Sequence, residues 1–253
     1  MEHPAYSRLY TFYDQDWGNW CCQYLPLLQM VFHQLPTPSR VLDIACGTGA
    51  LAAIMSEMGH CVTGIDLSPE MIWCACSKNI PGAAFEVQDM TKLNVNGKYD
   101  LAVNTFDAFN YMLEREDVDW FFKNVFEKLK PESFLIFDFN TENLYTYYHK
   151  GEILRDINGV KFKQHRSYNK EKNLAVTIFE FPDGEIEKHF QRAYSLEDIK
   201  EMYESTGFKL ENAFGGFDFE SYTKNSLRCI CVLRKPGPKF DEKRSKRKIW
   251  IHE

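Results

Sequence analysis

The sequence contains no hydrophobic run long enough to cross a membrane. Its longest apolar stretches, such as residues 134–139, fall far short of the roughly 20 apolar residues that a membrane-spanning helix needs. The first residues, Met1-Glu2-His3-Pro4, also lack the basic and then apolar pattern of a secretion signal. We therefore expect a soluble, cytoplasmic protein with no membrane partner.

The sequence also lacks a recognisable disulfide or metal-ligand pattern. It has eight cysteines, but without a secretion signal we expect reduced thiols. Cys229 and Cys231 could both reach a soft metal from one side of a strand. No histidine or second cysteine pair lies at the spacing of zinc ligands, however, so we predict no metal site.

An excess of positive charge is missing as well. The formal net charge is −6, which argues against broad contact with nucleic-acid phosphates. The exception is the basic run from Lys239 to Lys248, a composition that can bind RNA or an acidic partner. Because this run follows Pro236-Gly237-Pro238, we predict a solvated, partly disordered tail over residues 236–253.

What the sequence does contain is an alternation of strand and helix patterns. The apolar segment 41–44 runs into a glycine turn, and a helical pattern follows it. The next apolar segment, 61–65, precedes Ser68 and Pro69, which suit the cap and first turn of a helix. Further predicted strands are 84–88, 99–104 and 134–139, with a helix over 117–129. Such alternation indicates a parallel sheet.

The pattern changes after residue 140. Three predicted strands, 160–168, 174–181 and 185–194, are separated by turn sequences and indicate an antiparallel insert. A helix with a Ser195 and Asp198 capping box follows, and strands 209–215 and 227–234 complete a seven-stranded sheet. The predicted fold class is therefore α/β, and its parts are an aromatic-rich helical lid (1–36), a core (37–139 and 195–235), an insert (140–194) and the tail.

The glycine turn is the first candidate for chemistry. Gly47 and Gly49 let the backbone approach a ligand closely, because no Cβ stands in the way. With Ala52 they also fit the dinucleotide fingerprint, so the turn alone does not separate S-adenosylmethionine from NAD. Asp66, at the end of the second strand, suits the two hydroxyls of a ribose in either case.

Two further positions favour S-adenosylmethionine. Asp43 precedes the glycine turn, where a carboxylate fits poorly beside a pyrophosphate but suits the cationic amino acid end of S-adenosylmethionine. Asp89 and Met90 follow the third strand and offer a carboxylate and an apolar side chain to an adenine. Both positions lie at the carboxyl ends of predicted strands, where α/β proteins bind their ligands.

Together these segments resemble a known family. Residues 43–49, 64–71 and 88–90 are similar to three ordered motifs of class I S-adenosylmethionine-dependent methyltransferases. Residues 16–20, 107–111 and 189–194 resemble a group of small free-standing bacterial methyltransferases, mostly without a known substrate. The likeness covers about residues 6–235. It implies a Rossmann-like sheet with helices on both faces and S-adenosylmethionine as the cofactor.

The resemblance also implies a role for each matching position. Residues around the methionine part would be Asp43, Ala45, Gly47 and Gly49, and Asp66 would hold the ribose. The adenine would lie among Leu67, Asp89 and Met90, with Met71 in the same motif. Thr105, Phe106 and Asp107 would line the sulfonium side, covered by Trp20. One departure is Ala45, where many class I enzymes have glycine.

Acid–base candidates come from the insert. On a strand, Glu187, His189 and Gln191 share one face, so Glu187 could orient His189 to take a proton from the acceptor. The alternative is an exposed polar face with no catalytic role. Asp107, which the resemblance places on the sulfonium side, is the second catalytic candidate.

The sequence therefore predicts a methyltransferase that acts on N or O of a small-molecule acceptor, with the insert covering the acceptor side. The alternatives are an RNA or protein acceptor, an NAD-dependent oxidoreductase, and a non-catalytic module that keeps the cofactor fold.

Overall fold

Two β-sheets and seven α-helices make up the part of the chain that the computed structural model describes, residues 2, 3 and 5–237. The basic segment predicted for residues 239–248 lies outside these residues. The elements in chain order are β1 (Glu2–His3), α1 (Tyr10–Asp16), a 3₁₀ helix (Gly18–Tyr24), α2 (Leu25–Phe32), β2 (Arg40–Ile44), α3 (Ala50–Glu57), β3 (Cys61–Asp66), α4 (Pro69–Ser77), β4 (Ala83–Val87), β5 (Tyr99–Asn104), a 3₁₀ turn (Ala108–Tyr111), α5 (Arg115–Lys128), β6 (Leu129–Asn140), α6 (Glu142–Tyr148), β7 (Gly151–Ile157), β8 (Val160–Asn169), β9 (Leu174–Glu180), β10 (Ile186–Arg192), α7 (Leu196–Ser205), β11 (Lys209–Phe214) and β12 (Arg228–Arg234).

The larger sheet has seven strands in the order β11-β12-β6-β5-β2-β3-β4. Strands β2 to β6 run parallel to their neighbours, and β12 and β11 are antiparallel. The mostly parallel seven-stranded sheet predicted from the sequence is thus confirmed. The chain leaves β2 toward β3 on one side and later returns to β5 on the other. This reversal opens a crevice at the carboxyl ends of the strands.

Helices cover both faces of this sheet, as predicted. On one face, α5 buries Val118, Phe121, Phe122 and Val125, whose spacing places them on a single helical stripe. On the other face, α2 buries Leu27, Leu28, Val31 and Phe32 against the sheet. The second half of the predicted lid, residues 25–32, is therefore a core helix, and only the segment before it lies over the crevice.

Two helix starts follow the sequence closely. The Ser68 hydroxyl accepts the backbone N–H of Met71 at 3.2 Å, with Pro69 in the first turn of α4. Ser195 and Asp198 form the predicted capping box of α7, in which each side chain accepts the other residue's backbone N–H. Both caps satisfy N–H groups that have no partner within the helix.

The insert forms a separate sheet in the order β1-β10-β9-β8-β7. Its pairs are antiparallel except that β1 runs parallel to β10. Three of these strands match the predicted ones, whereas β7 (Gly151–Ile157) was not predicted. This strand pairs only with β8, and most of its side chains are exposed. It therefore carries little of the apolar alternation by which a strand is recognised.

No helix in the described ranges is long and apolar enough to span a membrane.

Candidate functional site

The carboxyl ends of β2, β3, β4 and β5 surround a cavity of about 410 Å³. This volume lies in the range of small-molecule sites. The cavity brings together every predicted cofactor-binding residue except Trp20 and Gly49. The predicted residues that line it are Asp43, Ala45, Gly47, Asp66, Leu67, Met71, Asp89, Met90, Thr105 and Phe106.

The loop after β2 forms one wall through a left-handed backbone. Ala45, Gly47 and Gly49 have φ values of 57°, 54° and 77°. Glycine tolerates this region best, so Ala45 adopts it at a cost of roughly 1–2 kcal/mol. Gly49 does not line the cavity. It precedes α3, and a Cβ at this position would lie only 3.1 Å from the ring of Phe85, so Gly49 serves helix packing.

Two carboxyl groups face the cavity from neighbouring strands. Asp66 accepts the backbone N–H groups of Gly47 and Ser68, each at 2.9 Å, and so ties the loop after β2 to the end of β3. Asp43 is 1% exposed, and its Oδ2 atom has no hydrogen-bond partner among the described residues. Burial and then the charge of Asp66 raise the pKa of Asp43 to about 8.

The far end of the cavity lies between β3 and β4. Leu67 is 70% exposed and Met90 is half-buried, so both leave apolar surface open to a flat ligand. Asp89 accepts the backbone N–H and the hydroxyl of Thr91, each at 2.8 Å, and pairs with Lys92 at 3.2 Å. These bonds fix the carboxylate at the cavity wall.

The turn after β5 carries two consecutive residues with positive φ, Phe106 at 61° and Asp107 at 49°. Such backbone strain is concentrated at functional sites in many proteins. Phe106 lines the cavity, but Asp107 does not. The Asp107 carboxylate accepts from Gln191 at 2.7 Å and from Arg228 at 3.1 Å. It is therefore engaged in an ion pair and a hydrogen bond, and its predicted catalytic role stays a prediction.

Aromatic side chains of the N-terminal segment close the cavity. Tyr6, Tyr13 and Trp17 line it, whereas Trp20, which was predicted to cover the sulfonium side, is 52% exposed and lies outside the lining. The 3₁₀ helix explains the difference, because it buries Cys21 while turning Trp20 toward solvent. Trp17 lines the cavity, and Trp20 does not.

Ion pairs and hydrogen bonds hold this segment on both sheets. Asp14 accepts the hydroxyl of Thr48 in the glycine turn and pairs with Lys78, which caps the end of α4, at 2.6 Å. Asp16 pairs with Arg155 of β7 at 3.0 Å. The segment therefore bridges the core and the insert directly over the cavity.

His189 does not line the cavity, but it is not on an exposed face either. It is 5% exposed, and Glu187 beside it is fully buried. The predicted alternative of an exposed polar face is therefore wrong. The ring of His189 lies between Glu187 and Tyr111, and Tyr111 lines the cavity.

Comparison with known proteins agrees with this geometry. A family profile described as "Methyltransferase domain" matches residues 41–132. YqeM of Bacillus subtilis (strain 168), which bears the name of a methyltransferase, is 32% identical over 239 residues, covering 88% of this chain and 90% of YqeM. The chain belongs to the class I S-adenosylmethionine-dependent methyltransferases. This membership confirms the resemblance and excludes the NAD-dependent oxidoreductase that the glycine turn left open.

Two further proteins are similar to this methyltransferase. The crystal structure of an S-adenosylmethionine-dependent methyltransferase from Clostridium acetobutylicum ATCC 824 has a TM-score of 0.77 and 25% identity, covering 92% of this chain and 99% of the other. A dTDP-3-amino-3,4,6-trideoxy-alpha-D-glucopyranose N,N-dimethyltransferase from Streptomyces venezuelae is 29% identical over 106 residues, 42% of this chain and 44% of that enzyme.

S-adenosylmethionine is accordingly the methyl donor of this methyltransferase. The cavity fits it, because the unpartnered Oδ2 of Asp43 suits a cationic amino group and Gly47 leaves no side chain in the way. In the described ranges no three His, Cys, Asp or Glu side chains group to hold a metal ion. All eight cysteines lie in those ranges and are free thiols.

Sequence analysis did not single out Tyr6, Tyr13, Trp17 and Tyr111 as site residues. The aromatic composition of the first 36 residues was visible, and Tyr111 stood in a segment that resembled relatives. What the sequence did not reveal was the direction of each ring. The Tyr111 hydroxyl is held by His189, 78 positions away, and the segment that carries Tyr6 is held by Glu187, 181 positions away.

Proposed function

We propose that this methyltransferase transfers a methyl group to an N or O atom of a small-molecule acceptor inside the closed cavity. The observation that carries the proposal is the cover over the site. Side chains between residues 5 and 21 line one side of the cavity, and the ion pairs of Asp14 and Asp16 anchor this cover to the core and to the insert. No described residue of the insert itself lines the cavity, so its predicted place on the acceptor side stays a prediction. A small molecule fits under such a cover, whereas an RNA or protein chain would require it to be displaced.

Within the proposal, the cofactor lies along the strand ends. Asp43 would face the cationic amino group of the methionine part, and the free lone pairs of Asp66 would accept the ribose hydroxyls. Leu67 and Met90 would enclose the adenine, with Asp89 at its edge. In this assignment the carboxyl groups bind the polar parts of the cofactor, and the apolar side chains contact its adenine.

The sulfonium end would then lie near Thr105 and Phe106, below Tyr13 and Trp17. The rings of Tyr13 and Trp17 are 5.8 Å apart at their centroids and line the same cavity as Thr105 and Phe106. Aromatic faces attract a cation and exclude water. Methyl transfer from a sulfonium uses up its positive charge, so the protein's main contribution is alignment in a dry site.

The relative from Streptomyces venezuelae supports a small acceptor, because its name gives an amino sugar nucleotide as substrate. That likeness covers only 42% of this chain, so it supports the acceptor class and not the acceptor itself. A net charge of −6 is also unfavourable for RNA.

The proposal is tested against a macromolecular acceptor with labelled S-adenosylmethionine. Transfer to total RNA and to total protein of a cell extract is compared between the full chain and a chain ending at Gly237, at low and high salt. We expect no transfer to either pool from either chain. Transfer to RNA that falls with salt and with removal of the basic segment would overturn the proposal.

A further inference from the structure

A row of four hydrogen-bonded side chains leads from the cavity into the insert. The hydroxyls of Tyr6 and Tyr111 are 2.9 Å apart, and the Tyr111 hydroxyl is 2.6 Å from Nδ1 of His189. On the other side of the ring, Nε2 of His189 is 2.6 Å from Oε1 of Glu187. Tyr6 and Tyr111 line the cavity, and the other two residues are buried behind them.

Glu187 fixes the direction of every hydrogen in this row. Its carboxylate accepts the backbone N–H groups of Tyr6 at 2.8 Å, Arg8 at 2.7 Å and Leu9 at 3.2 Å. With three N–H donors already bound, the carboxylate also accepts from His189, so Nε2 carries the hydrogen. Nδ1 then holds a lone pair and accepts from the Tyr111 hydroxyl.

The hydroxyl hydrogens of Tyr111 and Tyr6 are ordered in the same way. Because Tyr111 donates to His189, its oxygen accepts the hydroxyl hydrogen of Tyr6. The oxygen of Tyr6 is left with lone pairs for an acceptor molecule in the cavity. All hydrogens in the row therefore point away from the cavity and toward Glu187.

The two phenols can pass a proton along the row, but neither persists as a phenolate. Burial raises the pKa of Tyr6 and of Tyr111 well above the usual value of about 10. Neither therefore serves as a stable base. His189 differs, because a proton on Nδ1 would create an imidazolium in contact with a buried carboxylate, which stabilises it.

We propose that Tyr6, Tyr111 and His189 relay the acceptor's proton out of the cavity during methyl transfer, and that Glu187 is the positioning residue of the relay. The inference rests on the proposed N- or O-methyl transfer. The acceptor atom forms its bond to the methyl carbon as the carbon–sulfur bond breaks, and that electron pair stays on sulfur. The acceptor's proton passes to Tyr6, the Tyr6 proton to Tyr111, and the Tyr111 proton to Nδ1 of His189.

Glu187 also links the relay to closure of the cavity. Tyr6 is part of the N-terminal segment, and the three backbone N–H groups bound by Glu187 belong to that segment. The relay is consequently complete only while the segment covers the cavity. Proton removal is thereby confined to the closed, water-excluded state.

Several side chains contact the buried ring of His189. Tyr6 contacts the ring from the N-terminal segment at a centroid distance of 4.7 Å, and Phe179 of β9 contacts it at 5.2 Å. Glu187 and Tyr111 hydrogen-bond to its two ring nitrogens, and Thr177 lies opposite it on β9. Among the described residues, Glu187 is the charged side chain that bonds to the ring.

The tautomer of His189 is the first test, and it needs no acceptor. Nitrogen NMR of ¹⁵N-histidine-labelled full chain, with the His189→Asn variant to assign the signal, should show a neutral ring protonated at Nε2. Glu187→Gln should shift the ring toward the other tautomer or a mixture. A ring protonated at Nδ1 in the unmodified protein would overturn the relay.

The second test is kinetic and uses the small-molecule fraction of a cell extract with labelled S-adenosylmethionine. Tyr111→Phe and His189→Asn should each lower methyl transfer at least about tenfold while the Kd for S-adenosylmethionine stays unchanged. Tyr99→Phe is the matched control, because its hydroxyl bonds to Asn96 away from the cavity, and it should act like the unmodified chain.

The outcomes separate the two proposals. Normal transfer by Tyr111→Phe and His189→Asn across pH 6 to 9 would overturn the relay and leave the proposed function standing. The expected tautomer with no transfer to any small molecule would contradict the proposed function and leave the hydrogen-bonded row intact. Melting temperatures of the variants show which of them fold.

Discussion

Binding of S-adenosylmethionine should depend strongly on pH through Asp43. This carboxyl is buried, and its pKa is raised to about 8 by burial and by the charge of Asp66. In the unbound protein it is therefore protonated about ten to one at pH 7 and about a hundred to one at pH 6. A cationic amino group binds the ionised form, so the proton must leave when the cofactor enters.

The size of the effect follows from this pKa. If only the carboxylate form binds, the apparent Kd at pH 6 should be about fifty times that at pH 8, and close to one proton should be released on binding at pH 7. Isothermal titration calorimetry in two buffers of different ionisation enthalpy measures both quantities. Asp43→Asn should bind more weakly and without this pH dependence, whereas Asp119→Asn, on the exposed side of α5, should retain it.

Two neighbouring groups, Asp66 and Cys46, must be considered when the released proton is assigned to Asp43. Burial also raises the pKa of Asp66, which the hydrogen bonds from Ser68 and Gly47 oppose. Burial raises the pKa of the Cys46 thiol as well, so that it stays protonated over this range. The Asp43→Asn variant separates them from Asp43. Equal affinity at pH 6 and pH 8 in the unmodified protein, or binding without proton release, would refute the reasoning.

The remaining predictions concern the strand ends and stability. Asp66→Ala should weaken S-adenosylmethionine binding by about 1.5–3 kcal/mol in calorimetry, because it removes a charged acceptor for two hydroxyls, while Asp119→Ala should not; unchanged affinity in a folded variant would exclude the ribose role. Gly49→Ala should lower the free energy of unfolding by about 2–3 kcal/mol in urea titrations, against about 1 kcal/mol for Gly59→Ala, since both have positive φ but only Gly49 is also crowded; equal losses would contradict this. Without cofactor, the contribution of Asp43 should make the free energy of unfolding fall as pH rises from about 4 to about 8, because the unfolded carboxyl ionises first; Asp43→Asn should reduce this slope.

The core of the fold could be predicted because its signals are local. The strand 99–104 was predicted with its observed bounds, and the caps at Ser68 and Ser195 were visible as short patterns. Apolar runs, a glycine turn and a capping residue each act over a few positions. The alternation of helices and strands also predicted the mostly parallel sheet.

The site was predictable where it lies on those same strands. Asp43 and Asp66 lie at the carboxyl ends of β2 and β3, and Met90 lies shortly after β4, so their positions at the cavity needed no long-range information. Trp17 and Tyr6 lie in a segment whose path is set by Asp16 with Arg155 and by Glu187. Contacts between residues 139 and 181 positions apart have no signature in a local pattern.

Asp107 is a second residue whose long-range partner could not be predicted. Its place after β5 was predicted, but the sequence gives no sign that Arg228, 121 positions later, would pair with it. The ion pair and the bond from Gln191 connect the core turn to the insert. A residue predicted to be catalytic is consequently bonded to both the core and the insert.

The most direct test of the central claim is methyl transfer to a small molecule. The full chain is incubated with S-adenosylmethionine carrying a trideuteromethyl group and with the small-molecule fraction of a cell extract, and mass spectrometry identifies products that gain this group. We predict at least one such product, bearing the label on nitrogen or oxygen, with S-adenosylhomocysteine formed in equal amount. Labelling confined to RNA or protein, or cofactor binding with no turnover in any fraction, would contradict the account.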